Sequence, residues 1–287
     1  MSRMITVSAN SPSAGDDMTD NLSIHAFIFC WPGKEAGACH IAKSIAAHVD
    51  YLTVLYKNNN DRIEKGPGDW RKIPNEWFYG RQFKQSLDLN KGDIMLQIQA
   101  DAKFDYWPSI IAKCKDSFDC FPNVGVWAPN VYHTVWTPEV TSICELRHNE
   151  ILAITATDGV VWALSSAVID RLKMLDYDKN KFGWGISEAA GAFAFTNNML
   201  VLMDLSVKVE HPKGSGYCNA EALEQVKGFI DQLSAAERVQ FNWVHLTKII
   251  REKQLKRWKN PLKRWKRVFD EIYGRRRMLQ HQTRQVS

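Results

Sequence analysis

Apolar runs bounded by turn residues alternate along the chain with segments of helical spacing. Ser23 to Trp31 contains the continuous run Ala26-Phe27-Ile28-Phe29-Cys30, which predicts a buried strand. Pro32-Gly33 breaks it. Ala36 to His48 places Ala38, Ile41, Ala42 and Ile45 on one side of a predicted helix. Tyr51 to Tyr56 predicts a second strand, which runs out in Lys57 to Asp61. A strand, a helix and a strand in that order predict a parallel sheet. Residues 62–76 carry Gly66, Pro67 and Gly68 and predict a loop, and Trp77 to Leu89 a helix.

Lys91-Gly92-Asp93 then turns the chain into Ile94-Met95-Leu96-Gln97-Ile98, and this apolar strand ends in Gln99-Ala100-Asp101. Trp107 to Lys115 predicts a helix. Val124 to Trp127 predicts a strand closed by Pro129. Residues 132–150 fit neither pattern. Ile151 to Leu164 has strand character, and Ser165-Ser166 cap a helix through Leu175. Residues 178–187 predict a Gly- and Trp-bearing loop, Glu188 to Asn197 a helix, and Met199 to Glu210 a strand leading to His211-Pro212. From Ala220 the pattern is helical. Asn260-Pro261 reads as the cap and first residue of a last helix.

Composition and charge then divide the chain. Its 287 residues, 45% hydrophobic and 24% charged, suffice for one large α/β domain and an appendage. The net charge of +5 is unevenly spread. Lys248 to Arg277 holds thirteen Lys and Arg against three acids, a balance of +10, which leaves 5 − 10 = −5 for the rest. Three parts follow: a disordered polar N-terminus over 1–21, a catalytic body over 22–218, and basic amphipathic helices over 219–287. On the last helix Leu262, Trp265, Phe269 and Ile272 form a stripe with Lys263, Lys266 and Arg267 off it. That pattern suits an anionic membrane surface met through 248–277. Packing on the domain or on a twin chain, and nucleic-acid phosphates, are the rival uses.

None of the six cysteines forms a CxxC pair, so free thiols in a reducing compartment are expected. Residues 1–21 have no apolar core of a leader, and no run approaches the ~18 residues that span a bilayer. A cytoplasmic location, peripheral on the inner face of the membrane, follows as an expectation.

The chemistry starts from the strand that ends at Asp101. Ligands of open α/β sheets bind at the carboxyl ends of strands. An acid there can hold a divalent cation that bridges phosphates. A helix-capping or merely solvated acid is the plainer explanation. Asp105 and Asp158 are further acids near strand ends.

The order of the motifs is more specific. Tyr79-Gly80-Arg81-Gln82-Phe83, Lys91-Gly92-Asp93 and the strand into Gln99-Ala100-Asp101 resemble the approach to the metal motif in inverting GT-A glycosyltransferases, broadly of the family 2 type. Gly183-Trp184-Gly185 followed by Glu188 resembles the Gly-Trp-Gly segment of β-1,4-galactosyltransferases and chondroitin-polymerase-like enzymes. The resemblance covers roughly residues 22–218. It implies an α/β GT-A fold, a mixed sheet flanked by helices, with a C-terminal helical extension. It implies a nucleotide-diphosphate sugar donor, a glycan acceptor on a lipid or polysaccharide, and Mn²⁺ or Mg²⁺.

On the same resemblance Asp101 and His211 hold the metal and Glu188 is the general base. Trp184 and Gly185 meet the acceptor. Tyr56, Asn58, Asp61, Arg81 and Gln99 line the donor, with Arg81 cradling the diphosphate or ordering the acid strand. Gln99 departs from the family, which has an acid there, and this removes one charge from the metal site. Each residue also has an ordinary reading. Glu188 suits the first turn of a helix, Arg81 a solvated helix face, and Trp184 a core. Two rivals keep the fold. One glycosylates DNA or protein held by the basic tail. The other is a non-catalytic binding module, for which Gln99 is the best argument.

Overall fold

The computed structural model describes residues 22–58, 63–212 and 219–258. The elements begin with β1 (Ile24–Cys30), α1 (Glu35–Ile45), β2 (Tyr51–Tyr56), β3 (Asp69–Lys72), α2 (Tyr79–Leu89) and β4 (Ile94–Gln99). Then come α3 (Trp107–Cys120), β5 (Val124–Tyr132), α4 (Pro138–Thr141), β6 (Ser142–Arg147), β7 (Ile151–Ile154) and β8 (Val161–Ser165). The chain continues through α5 (Ser166–Lys173), α6 (Ile186–Thr196), β9 (Leu200–Glu210), α7 (Asn219–Ile230) and α8 (Ala235–Trp258).

The nine strands form one mixed sheet in the order β3-β2-β1-β4-β8-β5-β9-β7-β6. The β1–β2, β1–β4, β2–β3 and β5–β9 pairs are parallel, while β8 runs antiparallel to both β4 and β5. The carboxyl ends of β1, β2, β4, β5 and β9 therefore share one edge. The chain leaves β1 toward β2 on one side and returns to β4 on the other. The order reverses between β1 and β4, which is where open α/β sheets bind ligands.

Both faces are covered, which explains why β1 is buried at all seven positions. On one face Ile28, Val54 and Leu96 pack against Ile41 of α1 and Ile110 of α3. On the other, Phe27, Met95 and Trp162 pack with Phe83 of α2, Ile169 of α5 and Ala190 of α6. Phe229 of α7 and Phe241 of α8 join this second core.

A polar residue in mid-strand is fully used. Gln97 is buried in β4, and its Oε1 accepts from the Tyr79 hydroxyl at 2.7 Å and from the Trp162 indole N–H. Its amide donates to the Val160 carbonyl at 3.4 Å. One side chain thus ties α2 and β8 to β4, and no polar group there is left desolvated and unpaired.

Several expectations change. The predicted loop 62–76 contains β3, a short edge strand with exposed side chains. The strand predicted to stop at Pro129 runs on to Tyr132. A register shift between Pro129 and Asn130 absorbs the missing N–H. Residues 132–150 hold α4 and β6. The predicted strand Ile151 to Leu164 is two strands that are not neighbours: β7 pairs with β6 and β9, β8 with β4 and β5. Residues 155–160 carry the chain between them, with Gly159 at φ 70°. The last helix predicted from Asn260, and Asp61, lie outside the described residues. Cys30, Cys39, Cys114, Cys120 and Cys144 are free thiols.

Candidate active site

The strand edge brings Asp101 and His211 together, 211 − 101 = 110 residues apart in sequence. His211 Nε2 lies 3.5 Å from Asp101 Oδ1, with both side chains largely buried. A backbone bridge positions them. The Lys103 N–H donates to the Glu210 carbonyl at 2.8 Å, and the Glu210 N–H donates to Lys103 at 2.9 Å. The loop after β4 is thereby stitched to the end of β9, one residue before the imidazole.

Asp101 Oδ1 and His211 Nε2 are buried polar atoms that have no partner nearer than each other, at 3.5 Å. Two atoms each about 2.1 Å from one cation lie at most about 4.2 Å apart, so the 3.5 Å gap admits a shared ion. A carboxylate and an imidazole are a fitting donor pair for Mn²⁺. Burial works to raise the Asp101 carboxyl. The hydrogen bond and charge of His211, with Lys34 beyond, outweigh it and hold the group below its usual range. The carboxylate is ready for a cation. Among the described residues no cluster of three or more His, Cys, Asp and Glu surrounds an ion position. The remaining ligands would come from phosphate oxygens and water.

Asp158 is the third charged group of this edge. Burial pushes its carboxyl up, opposed by hydrogen bonds from the Val160 N–H and Thr134 and by the charge of His211. The Val160 N–H donates at 3.1 Å. The break between β7 and β8 delivers this acid, and the sequence pattern showed it only as a strand-end residue.

A cavity of about 500 Å³ opens beside Asp101, at the switch between β1 and β4. Lys34, Gly37 and His40 of the α1 region form one wall, and Lys103 and Trp107 another. Asp105 joins Asp101 in the lining, so Lys34 and Lys103 face two carboxylates across the cavity.

Glu188 sits in the first turn of α6 and is 9% exposed. The Ser187 hydroxyl donates to its Oε2 at 2.8 Å. His245 of α8 places Nε2 at 3.8 Å from the other oxygen. The His245 ring packs on Phe241 at 4.6 Å and edge-on to Trp136 at 5.8 Å. The Trp136 N–H donates to Thr134, which also bonds Asp158. His245 is a residue that sequence pattern did not find. Its helix reads only as a polar, basic stretch, and nothing in its spacing says which side docks.

The glycines of Gly183-Trp184-Gly185 have backbone duties. Gly183 has φ 76°, and a Cβ there would meet Tyr79 Cδ1 at 2.1 Å. Gly185 has φ 86° and begins α6, with a Cβ position 3.4 Å from Val226 of α7. Both conformations favour glycine. The close approach they permit is to Tyr79 and to α7. Asn180, buried, organises the turn: its Oδ1 accepts from the Gly183 N–H at 3.1 Å and its amide donates to the Trp184 carbonyl at 3.0 Å.

Of the expected donor residues, Tyr56 and Gln99 close β2 and β4 at the shared carboxyl edge, and Asn58 follows β2. Tyr56 is buried beside Trp70, with Lys65 over its ring. The Asn58 amide donates to Glu35 at 3.1 Å and ties β2 to the start of α1. Arg81 is exposed and pairs with Asp178 at 3.2 Å, so its guanidinium is engaged on the surface. Gln99 ends β4, and its N–H donates to the Val160 carbonyl. Lys57, not foreseen, is buried between Trp31 and Phe78 and donates to the Trp77 carbonyl. Burial lowers its ammonium pKa, against the charge of Glu76.

No family profile matches the chain, and no curated protein does. Solved structures do. A crystal structure of GalNAc-T7 with UDP, GalNAc and Mn²⁺ superposes with a TM-score of 0.55 at 9% identity, over 77% of this chain and 49% of that one. The chain thus spans about half the length of that relative. The mannosyltransferase PcManGT of Pyrobaculum calidifontis, with GDP-Man and Mn²⁺, gives 0.52 at 12% identity, over 84% and 77%. Glucosyl-3-phosphoglycerate synthase of Mycobacterium tuberculosis, with Mn²⁺, UDP-glucose and phosphoglyceric acid, gives 0.52 at 13%, over 75% and 81%. The fold is the GT-A fold of nucleotide-sugar transferases. The strand order and the helices on both sheet faces agree with it.

Proposed function

We propose that the protein is a glycosyltransferase that moves a sugar from a nucleoside-diphosphate donor to a glycan hydroxyl, with inversion and with Mn²⁺ or Mg²⁺. The observation that carries this reading is the meeting of Asp101 and His211 at the carboxyl edge of a GT-A sheet. The Mn²⁺-bound nucleotide and sugar complexes of the structural neighbours support it.

Asp101 and His211 would hold the cation, which neutralises charge on the departing diphosphate. Lys34 and Lys103 face the cavity beside them and add positive charge for the phosphates. Glu188 receives the proton of the acceptor hydroxyl as its oxygen attacks the anomeric carbon. Ser187 fixes one carboxylate oxygen and leaves the oxygen facing His245 for the proton. Trp184 and Gly185 take the acceptor side, as the Gly-Trp-Gly resemblance implies. A lipid-linked or surface polysaccharide acceptor and a peripheral place on the cytoplasmic face of the membrane fit the basic C-terminal sequence.

The test is release of nucleoside diphosphate from UDP-glucose and GDP-mannose with Mn²⁺, by the wild type and by Glu188→Gln. We expect the variant to bind donor normally and to turn over about 10²- to 10⁴-fold more slowly. Equal rates remove Glu188 from the role of base. One observation favours a second reading. Gln99 replaces an acid of the metal motif, as a non-catalytic nucleotide-sugar binding module would permit. That reading predicts donor binding by calorimetry with no turnover.

A further inference from the structure

The inner side of α8 is occupied. Glu237, Phe241 and Val244 are buried, His245 faces Glu188, and Arg251 donates to the Val140 carbonyl at 3.0 Å. The outer side is not. Val239, Trp243, Leu246 and Ile250 recur at steps of four, three and four residues, so they share one line along the helix. They are 64%, 41%, 57% and 47% exposed, and Ile249 beside them is 48% exposed. Trp243 rests an edge on Phe195 at 5.8 Å and leaves the rest of its indole open. Eleven helical steps from Val239 to Ile250 make this strip about 16 Å long. It stands opposite the anchored side, so no packing within the described residues covers it.

The charge around the strip is one-signed. From Arg238 to Phe269 the sequence has a single acid, Glu252. Lys248 pairs with it at 3.6 Å. Lys253 and Lys256 lie exposed within two turns of Ile250. A second copy of the chain would set like charges against each other. A nucleic acid would answer the charge and leave the apolar strip in water. A bilayer with anionic headgroups answers both.

We infer that the outer face of α8, from Val239 to Ile250, is a docking surface for an anionic lipid bilayer. The apolar side chains enter the boundary between headgroups and acyl chains, Trp243 sits at headgroup depth, and the lysines meet phosphates. The inference stands independently of the proposed reaction. Taken with it, the helix that faces lipid on one side presents His245 to the base on the other.

The test is flotation of the full-length protein with phosphatidylcholine vesicles, with and without about 30% phosphatidylglycerol, a content that gives an anionic surface. The wild type is expected to float with the anionic vesicles only, and less so in high salt. The double variant Leu246→Glu, Ile250→Glu removes two exposed side chains. It should keep its circular dichroism and melting point, and partition at least about tenfold more weakly. Absence of flotation, equal flotation on neutral vesicles, or unchanged flotation of the double variant overturns the inference. So does a lipid-free wild-type dimer that the double variant splits into monomers, since the strip is then an interface between copies.

Discussion

At the scale of single residues, the most exposed chemistry is not where pH acts on the fold. His25 is buried in β1, and its Nδ1 accepts the Lys91 N–H at 3.1 Å. Its Nε2–H therefore donates to the Thr53 hydroxyl at 3.0 Å. The Lys91 bond needs the neutral ring, since a protonated Nδ1 cannot accept. Burial, and then the charge of Lys91, bring its pKa down to about 4. The unfolded chain takes up the proton near pH 6.5. Between these values the unfolded state binds more protons, so stability is full above about pH 6.5 and falls as pH drops toward 4. The loss is on the order of 3 kcal/mol. His25→Gln should flatten this part of a denaturant-midpoint profile against pH. An unchanged slope would mean that other groups set the acid limb.

At the scale of elements, the approach of Asp101 to His211, the proposed cation ligands, depends on backbone that neither side chain supplies. The two hydrogen bonds between Lys103 and Glu210 bring the loop after β4 to the end of β9. Lys103→Pro removes one donor and touches neither ligand. It should weaken Mn²⁺ binding, followed by electron paramagnetic resonance, about 10- to 100-fold, the usual effect of losing support behind a ligand. Unaltered affinity would show that Asp101 and His211 find each other without the bridge.

The elements also show what the sequence made legible. Long apolar runs with clear ends, such as β1, β2 and β4, were readable within a residue or two, because burial on both faces leaves few polar positions. The approach of Asp101 to His211 was readable too, since both residues follow strand ends on one edge. β3 was hidden because an edge strand with exposed side chains looks like a loop. The β7–β8 break was hidden because periodicity reports burial and not partners, and with it went the setting of Asp158. Arg81 was legible as a helix charge, and only coordinates reveal Asp178 beside it.

At the scale of the whole molecule, the C-terminal helices join the second core, with α8 packed against α6. Glu237 of α8 is bound by Arg171 of α5 through Nε at 2.6 Å and Nη2 at 2.8 Å, with the carboxylate almost wholly buried. The Arg171 hydrogen bond lies behind the depressed pKa of Glu237, against the cost of burial. Arg171→Ala strands that carboxylate, and a stability loss of about 3 kcal/mol or more is expected in urea unfolding. A change under ~1 kcal/mol would mean that α8 is held mainly by Phe241 and Val244. No helix among the described residues is long and apolar enough to cross a membrane.

The two sides of α8 answer to different selections. A library scored by melting temperature would flag Phe241 and Val244 as intolerant and pass substitutions at Val239, Leu246 and Ile250 as silent. Engineering for robustness in a test tube would therefore erase the outer strip without any warning signal, and the damage would surface only when the variant returned to its native surroundings.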